Sequence, residues 1–356
     1  MEQFPDLADR ILAVMVGARV GDAMGAPAEG MEPAEIERRY GWVADFTGTG
    51  TDDSLMASLL IEALVLSGGH ASLDEWAVQI ADGHELIYAQ RQNFFPSVLH
   101  LVEKLRSGVP PRAAALGNLP SSSSAMCFWP VGVINAGQPA RAAMQAYRLA
   151  ALIHTYPVDF CQDGSAFVAA AVAAGLRDGS GIRDACAEGL RQLDSTSGEV
   201  MRTAITAAIE LAGQASDYRD FRARYYASGR QRIACDARET VPAAAGLACL
   251  ARGDIRVAVE YGANFGRDTD TIAAMAGALC GAAGESALPE AWLQQLGAAA
   301  LQSAQTAAER LAATARALCE QTLTDVAAVV GLISGRHPSI DPTADQGCSP
   351  SGKRIG

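Results

Sequence analysis

Lysine is almost missing. Lys104 and Lys353 are the only two in 356 residues; arginine supplies the other basic side chains, yet 40 acids face 28 bases and the net charge is -12. Phosphate backbones need a basic surface, so this balance argues against a nucleic-acid partner. Aromatic residues are also scarce, at 6% against 49% apolar overall. A core built with so few rings must be filled by Ala, Leu, Val and Ile at close helix crossings, which points to an all-α fold. The eight cysteines form no C-x-x-C pair and read as buried thiols in apolar helical stretches. No apolar run approaches membrane-spanning length without a charge or a glycine, and MEQFPDLADR places acids ahead of its first apolar run, unlike a signal peptide. A reducing cytoplasm is the expected location, with no membrane partner.

What is present is helical periodicity. Over residues 6–25, Ile11, Leu12, Met15, Val16 and Val20 recur at helical spacing, and Gly17, Gly21 and Gly25 form a four-residue stripe that admits a close neighbour. A short helix over 33–40 precedes the glycine-rich loop 46–50, which leads into an apolar helix from Asp52 to about Leu66. Further helical patterns cover 73–84, 96–105, 139–154, 162–176, 182–193, 198–215, 241–251, 256–262 and 268–283. An alanine-rich stretch over 289–319 reads as one or two helices, and 325–333 as the last. Nothing reads as a strand. Without a linker or internal repeat, one compact multi-helix domain is expected over 1–335. Residues 336–356, rich in Pro, Ser, Gly and Asp, read as a flexible tail. Ser121, Ser122, Ser123 and Ser124 signal a loop, although the following 125–129 is apolar enough to be buried.

Two segments carry chemistry: Thr51-Asp52-Asp53-Ser54 and Asp268-Thr269-Asp270-Thr271, each where a loop enters an apolar helix. Either one alone is explained as a helix cap, because Ser, Thr and Asp are preferred N-caps and early acids complement the helix dipole. A helix start needs only one cap, however, and adjacent carboxylates repel, so the surplus at both places points to a cation. Hard oxygen ligands imply magnesium or manganese. Four carboxylates with the Thr51 and Thr271 hydroxyls could hold two ions about 3.5–4 Å apart. Zinc fits poorly, because no His or Cys lies nearby.

With these segments in view the chain resembles the ADP-ribosylglycohydrolase family, which includes the dinitrogenase reductase activating glycohydrolases. Gly21-Asp22-Ala23-Met24-Gly25-Ala26-Pro27-Ala28-Glu29 resembles the opening G-D-A-x-G-x-P-x-E of that family, Thr51-Asp52-Asp53-Ser54 its T-D-D-S/T, and Asp268-Thr269-Asp270-Thr271-Ile272-Ala273 its D-T-D-S/T-I-A. His154-Thr155 falls where the family has a T-H segment, and Asn264-Phe265-Gly266 resembles the approach to its second acidic motif. The likeness spans roughly residues 10–285. It implies a dozen or more helices around a binuclear magnesium or manganese centre ligated by Thr51, Asp52, Asp53, Asp268, Asp270 and Thr271, with Glu29 beside it. Three departures stand out. Ser122-Ser123-Ser124-Ala125-Met126-Cys127 replaces the usual N-G-x-A-M-R and loses an amide and a guanidinium; Ser54 replaces Thr; and Arg267 stands where the second of two glycines is common, offering a phosphate contact.

The activity so implied is hydrolysis of an N-glycosidic bond at the anomeric carbon of an ADP-ribosyl group. The transition state builds positive charge on the ribose, which carboxylates stabilise, and a carboxylate can take the proton of the attacking water. Glu29, Asp53 and Asp270 are the expected catalytic residues; the plain alternative for Glu29 is a solvated loop acid. Substrate contacts are expected from Asp22, Ser122, Ser123, Ser124, Met126, His154 and Arg267. Against this, the serine run can be an ordinary turn and His154 a satisfied structural histidine, while Phe128 and Trp129 read as core rather than an adenine platform. The altered serine loop keeps a second substrate class open, a small NAD-derived or nucleoside-like N-riboside. A non-catalytic metal- or nucleotide-binding protein is the reading from a different class. Oligomeric state is left open.

Overall fold

The computed structural model describes residues 6–284 and 287–334, so the expected tail over 336–356 lies outside the described residues. Helix α1 (Leu7–Gly25) starts at Asp6, whose carboxylate accepts from the Leu7 amide. After it come α2 (Pro33–Tyr40), α3 (Asp52–Leu66), α4 (Leu73–Asp82), α5 (His84–Ala89), α6 (Pro96–Arg106) and the single turn α7 (Pro111–Ala114). The middle of the chain forms α8 (Trp129–Ile134), α9 (Pro139–Ala150), α10 (Phe160–Gly175), α11 (Ile182–Arg191) and α12 (Glu199–Gln214). Then follow α13 (Tyr218–Ser228), α14 (Ala237–Leu250), α15 (Ile255–Ala263), α16 (Thr269–Ala283) and α17 (Glu290–Ile333), which is broken at Gly297, where φ is 78° and ψ 160°. Among the described residues there is no strand, and they form one nearly all-helical domain.

The core is organised by small residues. In α10 every position from Cys161 to Gly175 is buried, nine of these fifteen being Ala, Val or Gly at the last ten places alone. The glycine stripe of α1 lies antiparallel against α16. A Cβ placed on Gly17, Gly21 or Gly25 would sit 2.4, 2.3 or 2.4 Å from backbone atoms of Gly277, Ala273 or Asp270. No side chain fits that gap, so only glycine lets the two backbones meet. Large groups fill the remaining space: Trp76, Phe128, Phe167, Phe221 and Phe265 are all fully enclosed, each contributing on the order of 2–3 kcal/mol by leaving water. Leu7–Ala28 is, by length and composition, apolar enough to cross a membrane, but it carries Asp9, Arg10, Arg19 and Asp22 as well as its glycines, in keeping with the expectation, and 72% of its most apolar window is buried inside the protein.

Several boundaries differ from expectation for reasons that lie in tertiary contacts. The helix expected over 139–154 ends at Ala150. Carbonyls freed beyond it are taken by side chains, Ile153 O by Asn118 Nδ2 at 2.8 Å and His154 O by the Gln162 amide, so His154 lies in the loop after the helix rather than within it. Residues 73–84 split at Gly83 into α4 and α5. Pro242 suggests a helix start, but Asp236 caps α14 earlier by accepting from the Arg238 amide at 2.9 Å, and the proline is tolerated inside.

Candidate active site

Three helix ends converge on one point. The close α1–α16 approach sets Asp22, in the last turn of α1, beside Asp270, in the first turn of α16, and the loop after α2 delivers the start of α3 to the same place. Asp22 is fully buried and accepts from the Thr51 amide (2.7 and 2.8 Å), Thr51 Oγ1 (2.7 Å), the Ser54 amide (3.0 Å) and Ser54 Oγ (2.6 Å). It therefore caps α3 from another helix. Gly50, at φ 103°, permits the approach, since a Cβ there would lie 2.5 Å from Asp22 Oδ2. The consequence bears on the ambiguity over the acidic segments. Thr51 and Asp268 occupy the N-cap positions of α3 and α16, yet neither side chain makes a capping bond, and Asp52 and Asp53 are free of that duty.

The released acids crowd together. Asp22, Asp53 and Asp270 bring carboxylate oxygens within 4.8 Å of one another, as do Glu29, Asp268 and Asp270, so Asp270 belongs to both groups. Burial raises the proton affinity of each carboxyl. For Asp52 it is joined by repulsion from Asp22, Glu29 and Asp268; for Asp53 by Asp22, Asp52, Asp270 and Asp268; for Asp270 chiefly by Asp268. Asp268 is pushed up to about 7 by burial and Glu29, against hydrogen bonds from Ser122 and Thr271. Glu29, exposed on its outer side, is also raised, by partial burial and Asp22. The positive ends of α3 and α16 face the cluster, and Arg19 attracts Asp22 from one turn back, where it lines a cavity of about 20 Å³ with Asp53, Met126 and Trp129. These do not balance the acids. Asp53 Oδ1 is buried without a hydrogen-bond partner, and the donors are all oxygen, so the residues fit a hard divalent cation.

A cleft of about 180 Å³ opens over the acids. Glu29, Asp52, Asp268, Asp270 and Thr271 form one side, Ser122, Ser123 and Met126 another. A third side, missed in the sequence, is the turn carrying Gln92, Asn93, Phe94 and Phe95 before α6; its signal was an aromatic pair ahead of Pro96 at a helix start. Cys235 also lines the cleft, which corrects the expectation that no cysteine is near. Burial, with Asp268 adding to it, raises the Cys235 thiol, which keeps it protonated and a poor zinc ligand.

Other expected contacts have different duties. Ser122 donates to Asp268 Oδ2 at 3.1 Å, and its amide to Cys235 O at 2.6 Å. Ser124 does not line the cleft; its hydroxyl meets His154 Nδ1 at 2.9 Å while Ser121 Oγ meets Nε2 at 3.0 Å. Because Ser121 donates onward to Ser123 Oγ, a neutral ring protonated on Nε2 satisfies both contacts. Burial holds His154 down to about 3, consistent with that neutral form. His154 is thus a strut beneath the serine loop and not a pocket wall. Asp22 is likewise turned to α3 rather than to the cleft. Thr51 Oγ1 donates to Asp22 and to Asp52 Oδ1 (3.2 Å), and Thr271 Oγ1 to Asp53 Oδ2 (3.3 Å). Arg267 corrects the phosphate-contact expectation: its guanidinium holds buried Glu239 at 2.5 and 3.0 Å and Gln231 O at 2.7 Å, away from the cleft. Phe128 and Trp129 are buried.

The profile of the family described as ADP-ribosylglycohydrolase matches residues 3–324. An uncharacterized protein of Escherichia coli, YegU, is 27% identical across 77% of this chain and 87% of its own length. The ADP-ribosyl-(dinitrogen reductase) glycohydrolase of Rhodospirillum rubrum is 24% identical, across 82% of this chain and 92% of its own. A solved structure described as an ADP-ribosylglycohydrolase-related protein complex shares the fold at a TM-score of 0.66 and 20% identity, covering 87% of this chain and 99% of that one.

Proposed function

The chain belongs to the ADP-ribosylglycohydrolase family, a family of hydrolases, and from that premise we propose that it cleaves the N-glycosidic bond at the anomeric carbon of an ADP-ribosyl group and releases ADP-ribose. One observation carries the reading. Two helix starts bring four buried aspartates together beside Asp22 from the end of α1, neither start uses its own acids as caps, and Asp53 Oδ1 is left without a partner. In this reading Asp53 and Asp270 hold one divalent cation, magnesium or manganese, with Asp22 behind them, and Glu29, Asp268 and Asp270 a second, with Asp52, Thr51 and Thr271 completing the ligand set. When bound, such ions lower the pKa of a coordinated water and fix ribose hydroxyls.

The side chains divide the remaining work. Glu29, at the rim of the cleft, accepts the proton of the attacking water. Asp52 and Asp268, facing the cleft, oppose the positive charge that develops on the ribosyl ring. Ser122 steers Asp268 by its 3.1 Å hydrogen bond, and the buried Phe94 and Met126 give the cleft part of an apolar lining. A second reading, hydrolysis of a small N-riboside, is favoured by the cleft itself. At about 180 Å³ it is smaller than the roughly 300–1,000 Å³ typical of sites that enclose a whole drug-sized ligand.

The test is mass-spectrometric detection of ADP-ribose or ribose released from a panel of N-ribosides that includes ADP-ribosyl-arginine, with magnesium, with chelator, and with Asp52→Asn or Glu29→Gln. Release that needs both metal and Asp52 supports the hydrolase, and the preferred substrate chooses between the readings. Glu29→Gln is expected to slow release about 100- to 10,000-fold as the loss of a general base. Bound metal with no release from any substrate moves the function to binding.

A further inference from the structure

A second cleft shares no lining residue with the first. It lies between α9, α7 and the turn joining α3 to α4, and encloses about 550 Å³. The charged residues on its lining are all basic: Arg112 comes from α7 and Arg141 and Arg148 from α9, beside His70 from the turn, and no Asp or Glu lines it, although Asp163, Asp159 and Asp194 are near enough to Tyr147 to add to the rise that burial gives its phenol. In a chain of net charge -12 this is a local inversion. Other arginines, such as Arg10, Arg222, Arg267 and Arg310, pair with carboxylates, whereas among the described residues none of these three has one within 4.0 Å.

The cleft is also built rather than incidental. Arg141, Gln145 and Arg148 fall at i, i+4 and i+7 on one face of α9. Gln145 Nε2 holds Gly69 O at 2.9 Å, which ties the turn to that helix, and Arg141 is steadied by Thr322 Oγ1 at 2.8 Å. Met144 and Tyr147, on the same lining, leave 62% and 38% of their surfaces exposed beside the guanidiniums. The wall from α10 is Gln162, whose amide holds the His154 carbonyl, so an occupant would lie one residue from the strut under the serine loop.

We propose that this cleft is a second ligand site, separate from the acidic one, for a nucleoside diphosphate or a closely similar phosphate-bearing molecule. Guanidinium forks match phosphate oxygens in pairs, and three of them suit a diphosphate better than a single charge. Tyr147 with Met144 offers the apolar face that a base would cover. The volume lies inside the usual range for small-molecule sites.

Titration calorimetry of the full chain with ADP, with pyrophosphate and with adenosine tests this, in chelator so that the acidic cleft holds no cation. Arg148 and Arg112 are exposed, so their removal leaves the melting temperature unchanged and the fold intact. ADP is expected to bind at one site, about tenfold more weakly in Arg148→Ala and more weakly still in the Arg112→Ala/Arg148→Ala pair, but equally well in Asp52→Asn. Pyrophosphate matching ADP would assign recognition to the phosphates alone; ADP binding more tightly would add the base. No heat with either at millimolar concentration overturns the site. So does undiminished binding by the arginine pair, tighter binding of adenosine than of ADP, or loss of binding in Asp52→Asn, which would place the ligand in the acidic cleft. None of these outcomes depends on whether ADP-ribose is released.

Discussion

Replacing Asp53 by Asn should make the protein more stable and less active. Asp53 is enclosed, its Oδ1 has no partner, and its carboxylate lies within 4.8 Å of those of Asp22 and Asp270. Two unit charges 4.8 Å apart repel by 332/(20 × 4.8), about 3.5 kcal/mol, at an effective dielectric of about 20. Asp53 has two such neighbours, which makes about 7 kcal/mol if all three were charged, and proton uptake relieves more than half of this, so the metal-free protein should gain about 3 kcal/mol near pH 8. Asparagine keeps the shape, and its amide can donate to either neighbouring carboxylate. An unfolding entropy of about 2.1 cal/mol/K for each of 356 residues amounts to about 0.75 kcal/mol/K, so the gain corresponds to about 4 °C in melting temperature. Calorimetry at pH 8 in chelator, repeated with magnesium, is the assay. The variant should start higher than the wild type, gain much less from magnesium, and fail to release ADP-ribose. A variant that melts lower in chelator, or that gains as much from magnesium as the wild type, would refute the idea that these acids are gathered to meet a cation.

Gly25→Ala would place a Cβ 2.4 Å from the Asp270 backbone, and is expected to cost about 1–3 kcal/mol or more and to abolish activity by displacing that aspartate. Full activity in this variant would contradict the close-approach argument. Arg267→Ala leaves Glu239, 1% exposed, without its partner and should cost about 3–5 kcal/mol in urea unfolding with KM unchanged; a raised KM at full stability would restore a substrate role for Arg267. Burial holds His154 down to about 3, below the 6.5 of a free imidazole, so the unfolded chain takes a proton that the folded chain refuses. Stability is therefore lost as pH falls from about 6.5 toward 3. His154→Gln should flatten that loss by about 1.4 kcal/mol per pH unit, and equal slopes in the two proteins would show that the ring is not excluded from protonation.

The parts of this molecule that were legible in its sequence are those fixed by neighbours along the chain. Helix α2 over Pro33–Tyr40 and helix α3 from Asp52 carry their own start signals, and the two acidic segments stand at helix starts as expected. The stripe Gly17, Gly21, Gly25 announced a close contact but not its partner, because spacing says that a backbone approaches and nothing about which one. Helix α13 escaped notice although Tyr218, Phe221 and Tyr225 recur at helical spacing, since the intervening arginines mask its apolar face. What local reading could not supply was the pairing of groups far apart in the chain. Arg267 looked available for a phosphate because its partner Glu239 lies 28 residues earlier on another helix.

The same limit explains the central ambiguity, and its resolution carries the functional argument. Thr51-Asp52-Asp53-Ser54 read alone is a sufficient cap for α3, and no statistic of the segment can separate a capping acid from a ligating one. The separation is made by Asp22, 29 residues from Thr51 on a helix that only the glycine stripe brings within reach. By satisfying the Thr51 and Ser54 amides it removes the structural reason for Asp52 and Asp53 to be acids. Two buried carboxylates with no structural duty, in a place where burial and their acidic neighbours raise the proton affinity of both, lower the stability of the metal-free fold, and the proposed cation would offset that cost by neutralising them.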